Sequence, residues 1–94
     1  MKVRYYLDKE SRVPHMYGHS VKEKEVEEVL ARPNEDRRGR SGSRVAIGQT
    51  AGGRFLRVIY VPELETDSVF VITAYELSGK PLAAFKRRHR RKKK

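Results

Sequence analysis

The 94 residues contain no cysteine, no tryptophan and only four prolines. Without cysteine, disulfides and thiolate metal sites are excluded, and an intracellular location is the natural expectation. No run approaches the roughly 20 apolar residues a membrane-spanning helix needs. Met1 to Asp8 also lacks the apolar stretch of a signal peptide. A cytoplasmic protein with no membrane partner is expected. Also missing are a phosphate-cradling glycine motif, a nucleophile elbow and a carboxylate pair, so no cofactor is expected. Ninety-four residues allow a single domain with one modest core.

What the chain has in excess is positive charge. There are 22 Lys and Arg against 12 Asp and Glu, a net charge of +10. Eight of the last nine residues, Lys86 to Lys94, are Lys or Arg, and setting those eight aside leaves +2 on residues 1–85. The charge is therefore local: a nearly neutral domain, 1–85, followed by a basic tail, 86–94. Such a tail neutralises phosphates and releases their counterions, an attraction indifferent to sequence and weakened by salt. A polyanion, RNA or the ribosome, is the expected partner, with Lys86, Arg87, Arg88, Arg90 and Arg91 as contacts. The plainer alternative is a charge run that stays in water.

Apolar residues concentrate between Val45 and Tyr75. Val3 to Leu7 alternates as a short first strand does. Val45 to Thr50, Arg54 to Val61 and Ser68 to Tyr75 read as three strands joined through Ala51-Gly52-Gly53 and Pro62 to Asp67. Ser20-Val21-Lys22-Glu23 has the form of a capping box, with Val26, Val29 and Leu30 as the apolar stripe of a helix that Pro33 stops. Leu82 to Phe85 suggests a short last helix. The expectation is an α+β fold, a small antiparallel sheet made of the N-terminal strand and a three-stranded meander, packed on one or two helices. Strands apolar on both faces need cover on both, and a partner chain, a second copy or another protein, would supply it. Asn34 to Arg44 reads as a Gly/Ser/Arg loop whose Arg37, Arg38, Arg40 and Arg44 either wrap a phosphate backbone or simply keep a loop in water.

Tyr6-x-Asp8, His15-x-x-x-His19-x-Val21, the acidic helix Glu25 to Leu30 ending at Pro33, Gly53-Arg54-x-Leu56-x-Val58-x-Tyr60 and Val71-Ile72-Thr73-Ala74 follow one another in an order that resembles BrnT-type toxins of bacterial toxin–antitoxin pairs, within the RelE-like group. The resemblance implies a small antiparallel sheet backed by helices, metal-independent endoribonuclease activity and an antitoxin as partner. Two departures stand out. Tyr75 occupies a position where such toxins commonly carry Arg, and Gly79-Lys80-Pro81 with the polycation replaces their Glu/Arg-rich last helix.

Metal-free RNA cleavage needs a base for the 2′-hydroxyl, cations for the crowded phosphate and an acid for the leaving oxygen. Arg54, beside the Gly52-Gly53 turn, offers a fork for a phosphate. Arg57 interrupts an apolar strand and either meets a phosphate at the rim or sits in a structural ion pair. Tyr60 and Tyr75 are candidates for stacking or proton donation, or ordinary amphipathic strand residues. Lys80 follows the sheet closely enough to line the same groove, and His89 is the only imidazole in the polycation. His15 and His19 have the spacing of a zinc pair but no evident third ligand, so no metal is expected. The Glu23, Glu25, Glu27, Glu28 cluster reads as a solvated helix face or a dock for a basic segment.

Overall fold

The computed structural model describes residues 2–92, with side chains through residue 89. In chain order the elements are β1 (Lys2–Tyr5), a 3-10 turn (His15–His19), α1 (Glu23–Ala31), β2 (Glu35–Arg38), β3 (Arg44–Gln49), β4 (Phe55–Glu63), β5 (Ser68–Glu76) and α2 (Gly79–Lys92). They form one five-stranded sheet in the order β1-β5-β4-β3-β2. The α+β class and the meander β3-β4-β5 match the sequence expectation.

Three features depart from the expected sheet. First, β1 pairs with β5 in parallel, so the sheet is mixed. No hairpin joins these two strands, so no local turn sets their direction; Lys2 N–H donates to Asp67 O and Tyr6 N–H to Val71 O. Second, Glu35-Asp36-Arg37-Arg38 is a strand, not part of a loop. Its hairpin to β3 closes with Ser43 N–H on Arg40 O, and positive φ at both Ser41 and Gly42 gives the turn the hand that antiparallel strands favour. Third, α1 starts at Glu23. Ser20 instead ends the 3-10 turn at φ 59, and the Glu23 carboxylate accepts from Tyr17 O–H at 2.8 Å. The reciprocal contact is made two residues on, where Lys22 N–H donates to Glu25 Oε1 at 3.1 Å.

The two faces of the sheet are covered differently. On one, Val21, Val26 and Val29 pack against Ala46, Leu56, Val58, Val71 and Ala74, with Met16 of the 3-10 turn closing the end. Each fully buried Val, Leu or Met side chain there contributes roughly 1.5–3 kcal/mol. Gly48 lets α1 lie this close, since a Cβ on it would meet Val29 Cγ1 at 3.1 Å. On the other face, Phe85 and Leu82 of α2 pack on Ile47, Phe55 and Leu77. The chain's own last helix therefore covers one end of the second face. Towards β5 that face stays open, where a bulge near Ile59 and Tyr60 leaves Ile72 without a strand partner and 36% exposed.

Candidate functional site

Helix α2 runs unbroken across the boundary between Phe85 and Lys86 that charge alone had drawn. Two residues of the basic run dock on the domain. Arg88 donates to both oxygens of Glu35, Nε to Oε2 at 2.7 Å and Nη2 to Oε1 at 3.0 Å, and His89 Nε2 lies 3.1 Å from Oε2. Arg37 adds a contact to the same carboxylate at 3.4 Å. The Glu35 side chain is only 6% exposed, and its Arg88 partner leads the groups that hold its pKa below the usual carboxylate range. Phe85, stacked between Phe55 and His89, fixes the helix rotation. Lys86 Nζ lies over the Phe55 ring, and Lys80 and Arg87 face solvent. Arg90 and Arg91 continue the helix, with side chains outside the described residues.

Between α2 and the sheet lies a cavity of about 350 Å³. Arg37, Arg38, Arg57 and Arg88 line it together with Glu35, over an apolar wall that includes Ile47 and Pro81. Arg57 has no hydrogen-bond or ion-pair partner among the described residues, and its Nε is buried without one. Arg57 thus forms no structural ion pair among the described residues. Strand register places Arg57 beside Ile47 on β3 and opposite Tyr75 on β5, while Ile47 in turn pairs with Glu35 on β2. Residues paired across neighbouring strands lie with their Cβ atoms about 4.5–5.5 Å apart, so these four form one row across the face.

The row continues beyond the sheet. The ring of His19 meets that of Tyr75 edge to face at 5.9 Å, His15 meets His19 at 5.4 Å, and Tyr6 meets His15 at 6.2 Å. Asp8 Oδ1 lies 2.9 Å from His15 Nδ1, a contact in which Nδ1–H donates. His15 and His19 are exposed. The sequence shows only the spacing of these histidines; the 3-10 turn is what aims His19 at the end of β5. No group of three or more His, Asp or Glu with the arrangement of a metal site is found among the described residues.

Other candidates lie elsewhere. Arg54 donates from Nη1 to Ser20 O at 3.0 Å, with Glu25 at 3.6 Å and Glu76 at 3.7 Å, and so ties the entry of α1 to the end of β5. Tyr60 is on the α1 face, 7% exposed, its O–H donating to Asp36 Oδ2 at 2.6 Å. Burial, reinforced by Asp36, pushes its pKa up to about 12. Arg44 donates to the same Asp36 from Nε at 2.9 Å and to its carbonyl from Nη2 at 3.0 Å. Arg40 is exposed at the hairpin tip. Of the five residues weighed for chemistry, Arg57 and Tyr75 are thus brought together, while Tyr60 and Arg54 are held in structural contacts and Lys80 stands apart.

Residues 15–76, more than half of the chain, match the family described as a domain of unknown function, DUF4258. The chain belongs to this family. No curated protein and no solved structure matches it. The DUF4258 segment contains His15, His19, Arg57 and Tyr75, whereas Arg88 and the rest of α2 lie after it. No helix among the described residues is long and apolar enough to cross a membrane.

Proposed function

We propose that this chain is an RNA-binding, toxin-like protein that cleaves RNA without a metal, using the row that runs from the arginine cavity through Arg57 and Tyr75 to His19. The observation that carries this reading is Arg57, an unpartnered guanidinium set in an apolar strand between a basic recess and an exposed imidazole. An unpaired cation costs stability where it is partly desolvated, and a phosphate offsets that cost. In the proposed step His19 takes the proton of the 2′-hydroxyl and the 2′-oxygen attacks phosphorus. The 5′-oxygen then leaves with the proton of Tyr75 O–H, which gives a 2′,3′-cyclic phosphate and a 5′-hydroxyl end. Arg57 holds a phosphate of the strand next to the reacting one, and Asp8 orients His15 beside His19.

The setting that fits this activity is the cytoplasm, with an antitoxin-like protein or a second copy covering the open part of the face around Ile72. The test is expression of the isolated chain in a bacterial host, scored for growth arrest and RNA fragments. Arrest with fragmentation that His19→Gln and Arg57→Met both relieve is the expected result. The second reading is a noncatalytic RNA- or ribosome-binding module, favoured by the structural engagement of Arg54 and Tyr60. RNA binding without fragments at any protein concentration decides for it.

A further inference from the structure

We infer that the cavity beneath α2 is a subsite for a phosphomonoester, the phosphorylated end of an RNA strand, in place of one of its internal phosphodiesters. This rests on the RNA-binding reading and makes it more specific. The balance of charge around the recess points to this ligand. Four arginines line the recess, and the single carboxylate among its lining residues, Glu35, is already shared by Arg88, His89 and Arg37. Arg38 and Arg57 are left with no carboxylate partner among the described residues, and the Nε of Arg57 is shielded from solvent. Two unmatched cations suit a group of charge about −1.5 to −2 at pH 7, as a phosphomonoester is, better than a diester of charge −1.

The dimensions fit as well. A volume of about 350 Å³ lies within the range of small-molecule sites, about 300–1,000 Å³, and has room for more than a bare phosphate. Ile47 and Pro81 offer an apolar wall to a sugar or base, while the guanidinium forks provide two-point contacts to phosphate oxygens. The recess also depends on a built support. Its roof is α2, held by the bidentate Arg88–Glu35 contact and by Phe85 on Phe55. A terminal nucleotide lodged there lies on the row that leads through Arg57 to Tyr75 and His19.

The test uses the full chain and 2′-O-methyl oligonucleotides of ten residues, which cannot be cleaved. They carry a 5′-phosphate, a 3′-phosphate or hydroxyls at both ends. Adenosine 5′-monophosphate, adenosine and inorganic phosphate serve as small probes. The expected result is that one phosphorylated oligonucleotide binds at least tenfold tighter than its hydroxyl-ended twin, and that the monophosphate, but not adenosine, shifts the amide signals of Ile47, Arg57 and Ala84. Because each variant also affects general RNA binding, the readout is the ratio of the two affinities. That ratio falls towards one in Arg57→Met and in Arg38→Gln and survives Arg4→Gln, whose guanidinium pairs with Glu63. Equal affinities for phosphorylated and hydroxyl ends overturn this inference while RNA binding stands. Monophosphate binding without oligonucleotide binding removes the RNA reading and keeps the pocket as a mononucleotide site. No binding of any probe removes both.

Discussion

The face of the sheet under α1 and the face under α2 are built from alternate residues of the same strands, yet their chemistry is opposite. Under α1 Tyr60 and Arg44 share Asp36, and the surrounding positions are fully buried valines, alanines and a leucine. Under α2 the cover reaches only one end, a cavity separates helix from strands, and the buried Arg57 Nε and Thr73 Oγ1 have no partners. A folded chain pairs nearly all of its buried polar atoms; Arg54 Nε also lacks a hydrogen bond, but its guanidinium is held by Ser20, Glu25 and Glu76, whereas the Arg57 guanidinium has no such partner among the described residues. The α1 face explains why the domain folds; the α2 face is where the proposed function is placed.

The largest effect that separates the faces is expected in the core. Leu56→Ala, at a fully buried position under α1, is expected to lower unfolding free energy by about 3 kcal/mol. Ile72→Ala, on the open face, is expected to cost well under about 1 kcal/mol. Denaturant titration of the two variants checks this, and equal losses would mean that the open face is as structurally committed as the closed one.

Next comes the latch of α2. Glu35→Ala leaves Arg88 and His89 without their carboxylate and is expected to cost about 2 kcal/mol, the scale of hydrogen bonds to charged groups. The loss appears as faster amide exchange in α2 and not in β4. The pH dependence has a definite sign. Glu35 has a folded pKa below its unfolded value, so its contribution is complete above the unfolded pKa of about 4.3 and is lost as pH falls through the lowered folded value. Acidification below about pH 4 is therefore expected to release α2 before the sheet unfolds, as hydrogen exchange across a pH series would record. Asp36→Asn, which weakens the shared acceptor under α1, is expected to cost about 1 kcal/mol spread over the whole domain.

How much of this was legible in the sequence follows the same division. Strands β3 to β5 and the stripe Val26, Val29, Leu30 declare themselves because apolar periodicity reports burial, and the closed face is made of burial. Strand β2 is Glu-Asp-Arg-Arg; an edge strand that pairs through its backbone, with Glu35, Asp36 and Arg37 in ion pairs, carries no apolar period to read. Arg57 stands out in the sequence as a charge within an apolar strand, but only the fold shows that it lacks a carboxylate among the described residues. Arg54 is the foremost candidate in the sequence, and its partners Ser20, Glu25 and Glu76 lie far from it along the chain. The contact of His19 with Tyr75 spans a similar separation and had no local signal. Likewise, a run of nine basic residues gives no hint that its third and fourth members reach back to one buried glutamate.

That division also refines where the electrostatic attraction is measured. Truncation at residue 85 would remove Arg88 and His89 from Glu35, so truncation after His89 is the cleaner cut. Removing residues 90–94 is expected to leave thermal stability unchanged. If roughly three of those five cations contact single-stranded RNA, the slope of log affinity against log salt falls by about 2.

The most direct test of the account pairs Arg57→Met with Tyr60→Phe and measures both RNA affinity and thermal stability for each. Arg57→Met removes a cation whose Nε has no partner and is expected to leave stability unchanged or slightly raised while RNA affinity falls at least tenfold. Tyr60→Phe removes the donor to Asp36 and is expected to lower stability by about 1 kcal/mol while affinity is retained. Affinity that survives Arg57→Met and falls with Tyr60→Phe would contradict the assignment of function to the face under α2.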